Sequence, residues 1–169
     1  MNNDLFWVAM CAYALHILEE YFYDWKNWAR SVLKLQVDWN GFYLTNSAVL
    51  FLGIACAGIG WNNPLFSLAY PGLMLINAVF FHIMPVIRTK RFSPGLFTAC
   101  LFFLPVGITL FYHAGEAGVP LKIMLGAFGI AAFIMAFPII LIKTKGHALF
   151  NQKDVATNPE LIAEGSKSI

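Results

Sequence analysis

Apolar positions in this chain run in long unbroken blocks rather than alternating or forming a one-sided stripe. Strict alternation would mark a half-buried strand, and a stripe with a period of roughly 3.6 residues a soluble amphipathic helix. Blocks of about 20 apolar residues instead match a hydrocarbon layer ~30 Å thick crossed at ~1.5 Å per residue. Five such blocks cover residues 5–23, 39–61, 65–87, 94–113 and 120–143. Short polar connections, Asn62-Asn63-Pro64 and Gly115 to Pro120, turn neighbouring blocks into antiparallel hairpins. Trp39 and Trp61 bracket the second block, as amphipathic rings do at the two water interfaces. The expected fold class is all-α: a polytopic membrane helix bundle of five transmembrane helices.

One further helix is expected between the first two spans. Residues 24–36 are too short and too polar to cross, yet Lys26, Arg30 and Lys34 recur at four-residue intervals. Trp25, Trp28, Ala29, Val32 and Leu33 supply the opposite face, which predicts an amphipathic helix lying in the membrane surface. Residues 146–169 are polar, contain Pro159 and read as a cytoplasmic tail with at most a short helix.

Composition agrees with this reading. The chain is 59% hydrophobic and 12% charged, against roughly 45–50% and 25% in soluble domains. That excludes an ordinary soluble domain, and 169 residues leave no room for a separate one. Cys11, Cys56 and Cys100 are odd in number, far apart and set in apolar runs, so they read as small core residues. Met1 to Asp4 lack the basic region of a cleaved signal peptide.

Charge sets a direction. With five spans, the segments after the first, third and fifth lie on one side. That side holds Lys26, Arg30, Lys34, Arg88, Lys90, Arg91, Lys143, Lys145, Lys153 and Lys167, leaving only Lys122 of the eleven basic residues opposite. The positive-inside rule then puts the N-terminus outside and the C-terminus in the cytoplasm, in the plasma (inner) membrane. No nucleic-acid partner is expected; a homo-oligomer is compatible with the pattern.

Candidate chemistry begins in the first span. His16, Glu19 and Glu20 stand at i, i+3 and i+4, on one helix face. Ionisable groups inside a membrane cost roughly 2.5–3.5 kcal/mol each at mid-span and mark functional sites. Counted from the cytoplasmic helix ends, Glu20 is ~6 Å deep, His16 ~12 Å, His82 ~9 Å and Asn77 ~16 Å. Glu20, four residues from Asp24, is therefore expected to reach the headgroups, and His16, Glu19 and His82 to form the heart of the site. Thr45 and Asn46 of the second span lie at ~10 to 12 Å and Thr98 of the fourth at ~8 Å. Polar groups from four spans thus share one depth. The fifth span contributes none; its Gly126, Gly129, Ala131 and Ala132 read as close helix packing. His113 falls at the far surface and His147 in the tail.

Asn77 and His82 are five residues apart and would diverge by about 140° on a regular α-helix. Pro85 removes one helical bond, to the carbonyl of Phe81, and loosens that turn. A kink or π-bulge is therefore predicted between Asn77 and Pro85, since a π-turn brings i and i+5 onto one face. Ser93-Pro94-Gly95 opens the fourth span, with Ser93 as the expected N-cap and Pro94 as the first helical residue. Arg88 and Arg91 beside that helix end suggest an anion site, or a plain cap near basic residues.

Taken together, His16-x-x-Glu19-Glu20, Asn77-Ala78…His82 and Ser93-Pro94-Gly95 resemble the HXXEE-domain family of microbial integral membrane proteins. The motifs fall in order across residues 5–113. Phe92 stands where members often carry Tyr, so no phenol is expected there. The resemblance implies which residues form the site, not a reaction.

Three functions are expected to compete. The first is an intramembrane metalloenzyme acting on a lipid or isoprenoid-like substrate, by hydrolysis or oxidation. His16, Glu19, Glu20 and His82 would hold one divalent transition metal (zinc, iron or manganese), with Glu19, Glu20 and Asn77 as catalytic groups. Thr45, Asn46, Arg91, Ser93 and Thr98 would contact the substrate, a membrane lipid or other hydrophobic small molecule. The second is a metal-free acid–base isomerase or cyclase, with Phe80, Phe81, Trp25 and Tyr21 stabilising a carbocation. The third is a small proton-linked transporter using the same carboxylates, although no internal repeat is visible. A bis-histidine haem would leave Glu19 and Glu20 unexplained.

Overall fold

The computed structural model describes residues 2–144. Among them no strand occurs, and five helices are long and apolar enough to cross a membrane. These are α1 (Asp4–Phe22), α3 (Trp39–Asn62), α4 (Pro64–Thr89), α5 (Leu96–Glu116) and α6 (Leu121–Thr144), with a short α2 over residues 25–33. The tail expected over 146–169, with His147, lies outside the described residues.

Local chemistry fixes most helix starts. Asp38 accepts a hydrogen bond from the Gly41 N–H at 2.6 Å and so caps α3. Asn63 accepts from the Phe66 N–H, with Pro64 at the first helical position of α4. The amphipathic pattern of 24–36 is met by a shorter helix. Trp25, Trp28, Ala29, Val32 and Leu33 are buried or half-buried while Arg30 and Lys34 are exposed. Its last turn is π-helical and ends at Lys34 in a left-handed conformation (φ 58°). From there the chain folds back, and Arg30 Nε donates to the Val37 carbonyl at 2.6 Å.

Within the bundle α1 packs against α3, α4 and α5, and α6 lies on α4. Between membrane helices, association rests on van der Waals fit and hydrogen bonds, because lipid tails are as apolar as the core. Small residues serve that fit where α4 meets α6: a Cβ on Gly72 would stand 3.3 Å from the Ala131 Cβ, and one on Gly126 2.9 Å from Leu65 Cδ1. The expectation of close packing is met at Gly126 and Ala131 but not at Gly129 and Ala132, which are exposed on the other side of α6. The expectation for the cysteines holds only for Cys56; Cys11 and Cys100 are exposed on the outer surface of the bundle. An apolar run does not distinguish residues facing lipid from residues facing protein.

At one end of the bundle the Trp61 indole donates to the Asn2 carbonyl, and its ring meets Phe6 edge-on. At the other end Trp39 gathers Tyr21, Phe42 and Tyr43, with the Lys26 ammonium 5.3 Å from its ring centre. The second end carries α2, Arg88, Lys90 and Arg91, and the candidate site lies just inside it.

Candidate metal centre

Three helices and one loop build the site. On α1, His16 and Glu20 stand one turn apart and point inward, with His16 fully buried and Glu20 5% exposed. On α4 the helix opens into a π-turn over Ala78–Ile83, marked by the Met84 N–H donating to the Val79 carbonyl five residues back. The predicted break is thus present as a π-turn. It brings Asn77 and His82 to the buried side together. The Phe81 carbonyl, which Pro85 cannot serve, takes a hydrogen bond from the Ser93 hydroxyl at 3.4 Å. Ser93 Oγ also lies 3.1 Å from His82 Nδ1.

A second π-turn, over Ala99–Phe103, follows the first turn of α5. It places Thr98 and Phe103, again five residues apart, against the same imidazole. Thr98 Oγ1 is 2.7 Å from His16 Nδ1, and the Phe103 ring centre is 4.3 Å from that of His16. Tyr13 stacks on Phe103 at 5.3 Å and completes an apolar floor.

The start of α5 departs from expectation. Its first helical residue is Leu96, and the residue before it, Gly95, is left-handed (φ 94°). Ser93 is not the N-cap and Pro94 is not the first helical residue, because the helix end is capped from another helix. Glu19 Oε1 accepts from the Gly95 and Phe97 N–H groups at 3.1 Å each. Its Oε2 accepts from the Thr98 N–H at 2.7 Å and from the Thr98 hydroxyl at 2.6 Å. The anion at this positive helix end is therefore the protein's own carboxylate. Glycine is required at 95: a Cβ there would lie 2.6 Å from Cε1 of both His16 and His82, besides the strain of positive φ.

These contacts fix what each imidazole offers. Thr98 has one hydroxyl hydrogen and two acceptors beside it, Glu19 Oε2 and the Gly95 carbonyl at 3.2 Å. Its contact with His16 Nδ1 must then be an N–H donated by the ring. Ser93 Oγ, whose hydroxyl also faces the Phe81 carbonyl, is the corresponding partner of His82 Nδ1. Both Nε2 atoms are buried without a hydrogen-bond partner.

The two Nε2 atoms converge on one oxygen. Glu20 Oε1 is 3.5 Å from His16 Nε2 and 3.6 Å from His82 Nε2, and the two rings meet edge to face at 4.7 Å. An N–H···O hydrogen bond would measure about 2.7–3.2 Å. Two ligand atoms of one tetrahedral ion, each about 2.0–2.2 Å from it, stand about 3.4 Å apart. The observed separations fit shared ligation better than hydrogen bonding. The three residues could hold a metal ion, with all three ligand atoms within 4.8 Å of one another. Asn77 is buried nearby, and its Oδ1 has no hydrogen-bond partner.

Other residues expected at the site have different places. Both oxygens of Glu19, expected as a metal ligand and catalytic group, are engaged at the α5 terminus. Ser93 and Thr98, expected to touch substrate, hold the imidazoles. Asn46 donates from Nδ2 to the Phe42 carbonyl of its own helix at 3.1 Å. Thr45 is half-buried and Arg91 is exposed. Of the rings expected to stabilise a cation, Phe80 and Tyr21 are about half exposed, at 53% and 51%. Tyr21 and Trp25 pack instead against Trp39 and Phe42. Phe103 and Tyr13 are the rings at the site, and no pattern in a chain of 16 phenylalanines marks them out.

No curated protein and no solved structure matches the chain. A family model described as a protein of unknown function with HXXEE motif matches residues 7–110, which contain His16, Glu19, Glu20, Asn77, His82, Ser93, Gly95 and Thr98. The match spans more than half of the 169 residues, from α1 into α5, and the chain belongs to the HXXEE family.

Proposed function

We propose that this protein is a membrane-embedded enzyme in which His16, Glu20 and His82 hold one divalent transition metal ion and act on a lipid or isoprenoid-like substrate. The observation that carries the reading is the convergence of two buried, unpartnered Nε2 atoms on Glu20 Oε1 at 3.5 and 3.6 Å. A cation between these three buried groups would give each of them a partner. Each imidazole is oriented through Nδ1 by a hydroxyl, the kind of outer contact that fixes a metal-ligating ring. Two imidazoles and one carboxylate suit zinc, iron or manganese and leave coordination positions open, as catalytic rather than structural sites do. The ion would supply Lewis acidity and an activated water for hydrolysis or, as iron with dioxygen as the oxidant, a site for oxidation. Asn77, with an unpartnered buried carbonyl oxygen, stands ready to orient a substrate or bound water.

The lipid-like substrate follows from place. The site sits inside a bundle whose outer surface is rich in exposed Leu, Ile and Phe, which favours a ligand that partitions into an apolar surrounding. The competing readings fare less well on geometry. A proton-linked carrier is left with one carboxylate at the site, because Glu19 is committed elsewhere. A metal-free acid–base pair lacks a direct carboxyl–imidazole hydrogen bond, since both contacts exceed hydrogen-bond length.

Metal analysis of detergent-purified protein tests the proposal. One zinc, iron or manganese ion per chain is expected in the wild type, with loss in His16→Ala, His82→Ala and Glu20→Gln. Wild type prepared without chelators that carries no stoichiometric transition metal would overturn it. Lipid extracts compared by mass spectrometry from cells making wild type or His82→Ala should then differ in one lipid class.

A further inference from the structure

The two adjacent carboxylates of the motif divide into different tasks. We infer that Glu19 is a positioning residue that acts through Thr98 to fix the ring tautomer and orientation of His16, while Glu20 alone faces the two Nε2 atoms. This rests in part on the metal reading, yet its core is a statement about hydrogen bonds that holds with or without an ion.

The Glu19 carboxylate has four donors around it: the Gly95, Phe97 and Thr98 N–H groups and the Thr98 hydroxyl. An ionised carboxyl offers about four lone-pair directions, so its accepting capacity is filled. Three of those donors are backbone groups at a helix start, which need an acceptor when buried. Glu19 is thus held in place by α5, and it holds α5 in turn. The Thr98 hydroxyl bridges at 2.6 Å to Glu19 and 2.7 Å to His16 Nδ1. A carboxylate that draws the hydroxyl hydrogen leaves Thr98 only its lone pairs for the ring. His16 must answer with Nδ1–H, and its free lone pair falls on Nε2, aimed at Glu20. His82 has a hydroxyl, Ser93, but its further partner is the neutral Phe81 carbonyl at the longer 3.4 Å. Of the two rings, His16 has the charge-assisted support.

The π-turn over Ala99–Phe103 gives a second reason to read Thr98 as a positioning device. It turns Thr98 and Phe103 onto one side, so the hydroxyl sets the ring edge while the phenyl sets its face. Removing the hydroxyl should therefore free the ring to change tautomer without emptying the core.

Nitrogen NMR of ring-labelled histidine in metal-free, detergent-solubilised protein reads the tautomer directly, with His16 assigned by its loss in His16→Asn. Wild type and Thr98→Ser are expected to show His16 protonated at Nδ1. Thr98→Val and Glu19→Gln should show a shift toward protonation at Nε2. Zinc titration then reads the consequence: roughly 10- to 100-fold weaker affinity in Thr98→Val and Glu19→Gln, against near-wild-type affinity in Thr98→Ser. An unchanged tautomer in a folded Thr98→Val overturns the inference. So does a Glu19→Gln variant that loses metal as completely as Glu20→Gln while Thr98→Val keeps it, which would make Glu19 a ligand. If wild type binds no metal, the metal proposal fails and the tautomer measurement still decides this one.

Discussion

At the scale of single residues, adjacent positions on one helix turn have unlike fates. Glu19 and Glu20 differ by about 100° around the helix axis, and that rotation sends one to the α5 terminus and the other to the imidazoles. His16 and His82 owe their presentation to a hydroxyl on the adjacent helix α5 and one in the loop after α4, as a ring tautomer depends on its second nitrogen's partner. Gly95 makes this closeness feasible. Gly95→Ala should cost about 1–3 kcal/mol in backbone strain alone, and more through contact with both imidazoles. Gly115→Ala, where a Cβ meets nothing within 4 Å, is the matched control and should be near neutral. Thermal unfolding of both variants in the same detergent checks this; equal midpoints would contradict the close packing at 95.

At the scale of elements, the π-turns do the aiming. A π-turn behaves as one residue added to an α-helix, letting positions five apart share a face. α4 uses one to bring Asn77 toward His82, and α5 uses one to bring Thr98 toward Phe103. Deleting the half-exposed Val79 should convert the α4 turn to ordinary helix, with Asn77 and His82 now four positions apart and still on one side. Deleting Ile17 from the uninterrupted α1 offers no such absorption and turns His16 away from Glu20 by about 100°. The expected result is a Val79 deletion that stays folded and retains its metal, beside an Ile17 deletion that loses it. Metal analysis with size-exclusion profiles reads both, and equal loss would argue against the turn as a simple inserted residue.

At the scale of the whole molecule, hydropathy and charge predict the arrangement across the membrane. The basic residues of α2 and of the Arg88–Arg91 segment share the end at which the site lies. The positive-inside rule predicts that this end is cytoplasmic. Single cysteines, introduced in a chain with Cys11, Cys56 and Cys100 replaced, should report it. A cysteine at Asn62 or Gly118 is expected to react with an impermeant reagent on intact cells, and one at Lys34 or Lys90 only after permeabilisation. The reverse pattern would overturn the orientation and put the site in the outer half.

What the sequence determined by itself is the set of properties that depend on composition along one helix. The expected span limits lie within three residues of the ends of five helices long and apolar enough to cross a membrane, because length and apolarity must match a fixed hydrocarbon thickness. The α4 distortion was legible too, since Pro85 removes a specific bond and Asn77 and His82 sit awkwardly far apart. The family motifs named most of the residues that meet. Tertiary structure alone decided which groups touch. Lipid-facing and protein-facing residues are equally apolar, so nothing in the pattern set Phe103 or Tyr13 against His16 or placed Cys11 outside. Nor can a sequence reveal that an unpaired helix start on α5 will be answered by a carboxylate of α1. That depends on the distance between two helices, and it is what separates Glu19 from Glu20.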